Sequence, residues 1–133
     1  EGGCHLEAPM IAKALTEFKV EPKTLLFVEN VGNLICTAYF PLGEALRVIM
    51  LSITEGDDKP YKYPDIFRQA DAVVINKIDL KPYVDFNGDN FYKGVRLLNP
   101  QVHIFEVSCK NGTGIETWVN WLAVKAATFW DRQ

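Results

Sequence analysis

Residues 72–79 read Ala-Val-Val-Ile-Asn-Lys-Ile-Asp, a short β-branched apolar run that ends in Asn-Lys-x-Asp. Such a run suits a parallel strand covered on both faces. The polar tetrapeptide then falls at the strand's carboxyl end, where open α/β sheets bind ligands. A carboxylate there can accept two parallel hydrogen bonds from the ring N–H and exocyclic amine of guanine. Adenine lacks that donor pair, so unpaired polar groups would reject it. Asp79 is thus the candidate base reader, Asn76 the residue that ties the loop, and Lys77 the stem that lies over the purine plane. A plain strand that ends in a polar turn would read the same way, so the motif needs a companion.

The companion is at 102–110, Val-His-Ile-Phe-Glu-Val-Ser-Cys-Lys, a second apolar strand followed by Asn-Gly-Thr-Gly. In guanine-nucleotide proteins a Ser-Ala-Lys loop closes over the base and a backbone N–H meets the guanine oxygen. Here Ser108, Cys109 and Lys110 occupy that position, and any non-proline residue supplies the N–H. Two strand-end motifs in this order, with a helix-length segment between them, are far more specific than either alone.

The chain has 133 residues, the size of one domain (1–133). At 48% hydrophobic and 23% charged it has the makings of a soluble globular fold. A net charge of −3 without a basic stripe gives nucleic-acid binding no support. The apolar runs are strand-sized, so no membrane span is expected. Three cysteines, at 4, 36 and 109, are an odd and scattered set that fits reduced thiols in the cytoplasm. The first residue is Glu and no signal peptide is evident, so the sequence reads as part of something longer.

Residues 6–18 predict a helix with Pro9 in its first turn and an apolar face of Met10, Ile11, Ala14, Leu15 and Phe18. Thr24–Asn30 reads as a buried strand, and 46–54 as another. A short helix is expected over 64–70, a strand over 72–76 and a helix over 89–98 that stops at Asn99-Pro100. A last helix is expected from Gly114 to Thr128, with Ile115, Trp118, Val119, Leu122 and Val124 as core residues. Strands that alternate with helices predict an α/β fold: a three-layer, mostly parallel sheet with helices on both faces. Residues 30–44 and 54–63 are the long irregular stretches, both after strand ends, where functional loops belong.

No Gly-x-x-x-x-Gly-Lys-Ser/Thr phosphate loop occurs in the sequence. Gly-Thr-Gly at 112–114 has no following Lys and belongs to the base-side loop. These residues should therefore bind nucleotide poorly on their own and hydrolyse none. The strand expected at 24–29 ends in Glu29-Asn30-Val31-Gly32, similar to a switch that senses Mg²⁺ and a γ-phosphate. Gly32 would offer its N–H to that phosphate; a turn glycine with positive φ is the plainer alternative.

Cys4, His5 and Cys36 are soft and borderline ligands suited to Zn²⁺ or Ni²⁺. They leave a tetrahedral site one ligand short, which water, Glu7 or a second chain could complete. Small buried cysteines would be the plainer reading.

Four blocks together resemble the HypB family: Gly-Cys-His-Leu-Glu-Ala, Phe-Val-Glu-Asn-Val-Gly-Asn-Leu-Ile-Cys, Leu-Ser-Ile-Thr-Glu-Gly-Asp-Asp-Lys-Pro-Tyr-Lys-Tyr-Pro, and Val-Val-Ile-Asn-Lys-Ile-Asp-Leu-Lys-Pro-Tyr. That family comprises GTPases that help insert nickel during maturation of nickel–iron hydrogenases. The likeness runs from Gly3 to about Leu122, and the urease accessory GTPase is a poorer match around the second and third blocks. The resemblance implies a P-loop NTPase-like (SIMIBI-type) G domain, here without the first strand and phosphate loop. It implies Zn or Ni on Cys4, His5 and Cys36 at a homodimer interface, and guanine contact by Asn76, Lys77 and Asp79. It implies GTP or GDP with Mg²⁺ sensed by Glu29 and Gly32, and places Lys59 on the nucleotide side near the dimer contact. The implied partners are the hydrogenase large subunit and other nickel-insertion proteins. The absent strand would lie between 24–29 and 47–53. Either those strands close the gap, a second chain fills it, or the sheet stays partly open. A non-enzymatic, dimer-forming metal module is the alternative reading.

Overall fold

Three parallel strands form the sheet in the order β1 (Val48–Ser52), β2 (Ala72–Asn76), β3 (His103–Glu106). The structure is a computed structural model that describes residues 3–131; Glu1, Gly2, Arg132 and Gln133 lie outside it. Val48 pairs with Ala72 and Ser52 with Asn76; Ala72 pairs with His103 and Ile75 with Glu106. The helices are α1 (Ala8–Glu17), α2 (Cys36–Tyr39), α3 (Lys59–Lys62), α4 (Pro64–Arg68), α5 (Gly88–Leu98) and α6 (Ile115–Trp130). Short 3₁₀ turns follow β1 at Ile53–Glu55 and β2 at Ile78–Tyr83.

Side chains alternate across the strands and so feed two separate cores. Ile49, Leu51, Val73 and Ile75 point to one face and pack with Phe67 of α4 and Phe91 and Val95 of α5. Ala72, Val74 and Phe105 point to the other, under Trp118 and Trp121 of α6. The expected three layers are present, and the runs on β2 are buried on both faces because helices cover both. α5 starts at Asn87, whose side chain accepts from the Asn90 N–H at 3.0 Å. It ends at Asn99, whose carboxamide donates to the carbonyls of Phe67 and Ala70 at 3.1 and 2.9 Å.

Thr24–Asn30 is not a strand. It makes no ladder with β1, and Leu25, Leu26, Phe27 and Val28 are exposed, Phe27 by 70%. An apolar run becomes a strand only where a neighbour supplies backbone partners, and none of the described residues occupies the position beside β1. The gap is therefore not closed by the two segments; the sheet stays open there. Met50 of β1, whose side chain points to the α6 side, is 62% exposed. The helix expected over 6–18 forms as α1, but it buries no residue, and Met10, Leu15 and Phe18 are exposed for lack of a layer above them.

The last helix also corrects the expectation. Leu122 and Ala126 are buried while Val119 and Val124 are 52% and 65% exposed. The sheet meets the face formed by 115, 118, 122 and 126, and Val119 and Val124 fall off that stripe. The stretches 30–44 and 54–63 are not wholly irregular either: they carry α2, the turn at Ile53–Glu55 and α3.

Candidate functional site

The loop before α2 is held down by its apolar side chains. Leu34 and Ala38 pack into the α4–α5 core, and Thr37 beside Ala38 is buried. That docking turns Cys36 towards the N-terminal stretch. Cys4 Sγ lies 2.7 Å from Cys36 Sγ and 3.4 Å from His5 Nδ1. The donor atoms of Cys4, His5 and Cys36 all lie within 4.8 Å of one another. The structure thus brings together residues 32 positions apart.

The imidazole is fixed from two sides. Phe40 stacks on it with centroids 3.7 Å apart and planes 15° off parallel. Its Nε2 is buried without a hydrogen-bond partner, 3.6 Å from the Glu7 carboxylate. Nδ1 faces the sulfurs and Nε2 faces an acid, an arrangement in which the carboxylate can set ring orientation behind a metal-binding nitrogen. Glu7, considered above as a fourth ligand, stands behind the imidazole and is not part of the donor cluster. The Cys36 thiol's hydrogen bond and the nearby His5 lower the Cys4 thiol below its usual range. Cys36 is pushed up, chiefly by the hydrogen bond to Cys4 and also by burial and Cys4's charge. One sulfur holds a proton that the other accepts, and a divalent cation bound by both would take that proton's place. Two sulfurs and the His5 Nδ1 are three donors that fit Zn²⁺ or Ni²⁺ by their chemistry.

Asn30 and Asn33 hold this cluster together, and sequence reasoning missed both. Asn33 Oδ1 accepts from the N–H groups of Ile35 and Cys36 at 3.1 and 2.8 Å, and its Nδ2 donates to the Cys4 carbonyl. Asn30 Oδ1 accepts from the Leu6 and Val31 N–H groups at 2.9 and 2.8 Å. Asn three residues before the start of a short helix is a legible turn signal; its reach to Cys4 is not.

Glu29 is exposed, and Gly32 has open space around it and is not among the glycines with positive φ. Neither is brought to the second cluster, at the carboxyl ends of β2 and β3. There Asn76, Lys77, Asp79, Leu80, Cys109 and Lys110 line an open groove. Asn76 Oδ1 accepts from the N–H groups of Lys77 at 2.7 Å and Cys109 at 3.2 Å, so it ties the two loops. The Cys109 N–H, expected to be free for a base, is therefore partnered. Ser108, fully buried, donates its hydroxyl to Asp79 Oδ1 at 2.6 Å. A carboxylate has about four lone-pair sites, so one such bond aims Asp79 and leaves capacity for a bidentate donor. Lys77 adopts a left-handed conformation at φ 63°, a strained choice for a long side chain that clusters at binding sites. Gly112 and Gly114 have φ 83° and 73°, and a Cβ on Gly114 would lie 2.1 Å from the Glu106 carbonyl oxygen. The Ser-Cys-Lys loop can fold back only with glycine there. Cys109 is an exposed free cysteine. Lys59 lies 5.7 Å from the centroid of the Tyr63 ring.

No protein-family model matches the chain. It is 48% identical over 125 residues to the hydrogenase maturation factor HypB of Rhizobium leguminosarum bv. viciae, an alignment over 94% of this chain and 42% of that protein. The crystal structure of hydrogenase maturation factor HypB from Archaeoglobus fulgidus superposes with a TM-score of 0.86 at 45% identity, over 92% of this chain and 65% of that one. That of HypB from Helicobacter pylori in complex with nickel gives 0.87 at 36%, over 96% and 61%. The chain thus spans less than half the length of the Rhizobium relative. With these identities along nearly all of its own residues, and with this fold, the chain belongs to the HypB family.

Proposed function

We propose that these residues are the guanine-reading and metal-carrying part of a GTP-dependent nickel-insertion factor for hydrogenase maturation, organised as one G domain. The observation that carries this reading is the convergence of Cys4, His5 and Cys36 within 4.8 Å, beside the loop that contains Glu29 and Gly32. A solved relative holds nickel. Nickel is then the cargo, held by two thiolates and His5, with Zn²⁺ as the other ion the same donors accept.

On the nucleotide side, Asp79 accepts two guanine N–H bonds while Ser108 holds it in place. Asn76 ties the two loops, the Lys77 stem covers the purine, and Lys110 closes the groove beside Cys109. The Cys109 N–H turns from Asn76 towards the guanine oxygen when the base arrives. Glu29 and Gly32 respond to Mg²⁺ and the γ-phosphate of GTP and lose those contacts in GDP. Phosphate cradling requires a loop this sequence does not contain, so GTP hydrolysis belongs to a protein that supplies it. The partners are a second copy of the chain, the hydrogenase large subunit as destination, and other nickel-insertion proteins. The compartment is the cytoplasm, and no helix among the described residues is long and apolar enough to cross a membrane.

The test is nickel and zinc stoichiometry in the intact protein and in its Cys4→Ala and Cys36→Ala variants. One ion per Cys-His-Cys set, lost in both variants, supports the reading. Retention of the ion by both variants contradicts it.

A further inference from the structure

We infer that Asn33 is the positioning residue that sets the Cys4–His5 pair against Cys36, through a single carboxamide that holds both stretches of chain. The inference rests on the metal reading above and names the residue that makes its donor set converge.

A carboxamide offers an acceptor and a donor at once, and Asn33 uses both. Its oxygen fixes the first turn of α2 through the Ile35 and Cys36 N–H groups. Its nitrogen holds the carbonyl of Cys4 itself. The Asn33 backbone carbonyl accepts from the Thr37 hydroxyl at 2.6 Å, which locks the amide's own base to the buried side of α2. Asn30 independently keeps the N-terminal stretch in place through Leu6, so loss of Asn33 should loosen the sulfur–sulfur spacing without releasing the segment. Asn33 also follows Gly32 directly, so any displacement of that loop reaches both halves of the donor set through one side chain.

Aspartate separates the two roles. It keeps the acceptor for α2 and loses the donor to Cys4; alanine loses both. The experiment compares Ni²⁺ affinity, by competition with a chromophoric chelator, and the thiolate-to-nickel charge-transfer absorption. It uses the intact protein, Asn33→Asp, Asn33→Ala and Cys36→Ser, with thermal melts alongside. The expected result is about 10–100-fold weaker nickel binding and an altered band in both Asn33 variants, with an unchanged melt for Asn33→Asp. Wild-type affinity and band in Asn33→Asp, with Cys36→Ser defective, would overturn the inference and leave the metal reading standing. Wild-type binding by Cys36→Ser would overturn the metal reading, and this inference with it.

Discussion

Asp79 meets Ser108 at 2.6 Å because Asn76, at the end of β2, holds the neighbouring loop through the Cys109 N–H. The carboxylate is therefore already oriented, which on the proposed reading keeps the ordering cost of base recognition low. Asp79→Asn replaces an acceptor by an amide that can donate. In the intact protein, competition binding should show guanine-nucleotide affinity reduced by at least about 100-fold and a gain for xanthine nucleotides, whose second carbonyl oxygen accepts where guanine's amine donates. Unchanged guanine preference would remove Asp79 from the base-reading role. Gly114→Ala, which sets a Cβ against the Glu106 carbonyl at positive φ, should cost about 2 kcal/mol or more, read as a lower urea midpoint. At this scale the strand-end motifs were legible because each is a contiguous run with its own chemistry. The Asn33 bridge was not, because its second partner, Cys4, is near it only in space.

The strands β1 to β3 and helices α4 to α6 follow the hydrophobic periods of their sequences, and those elements were legible for that reason. The failures share one cause. Periodicity states what a segment needs to bury and not what is available to cover it, so Thr24–Asn30 and the face of α1 were read as core while nothing among the described residues covers them. Val119 and Val124 were misplaced because an apolar helix has more than one stripe to choose from. Leu122→Ala should cost about 2–3 kcal/mol and Val124→Ala less than about 0.5 kcal/mol in urea denaturation; equal effects would contradict the assigned face. Between α5 and β3, the Tyr92 hydroxyl donates to Glu106 Oε1 at 2.7 Å, and Lys81 approaches the same carboxylate at 3.1 Å. Burial, followed by the Glu106 hydrogen bond and charge, pushes the Tyr92 hydroxyl well above its usual range. The fold therefore favours the neutral phenol. Its contribution is complete below the unfolded value of about 10 and is lost as pH rises above it. Stability measured from pH 9 to 11 should fall less steeply in Tyr92→Phe; parallel curves would mean that Tyr92 does not titrate differently on folding.

Across the whole molecule, two clusters of functional groups sit on different loops of one open sheet. The groove that the proposed function assigns to guanine lies at the ends of β2 and β3, strands with helices packed on both faces. The Cys-His-Cys cluster joins the N-terminal stretch to the loop before α2, and the chain between its two halves exposes apolar side chains such as Phe18 and Phe27. Surfaces of that kind mark places where further protein docks. On the proposed reading the nucleotide side rests on paired strands, while Cys4, His5 and Cys36 depend on a loop held by two asparagines. Under the proposed function, in which Glu29 and Gly32 sense the γ-phosphate, a loop so held carries the response to Cys36 within a few residues. The most direct measurement of this coupling is Ni²⁺ affinity of the intact protein in GDP and in a non-hydrolysable GTP analogue. A nucleotide-dependent change of about 5-fold or more, abolished by Cys36→Ala, is the predicted result. Equal affinities in both nucleotide states would contradict it.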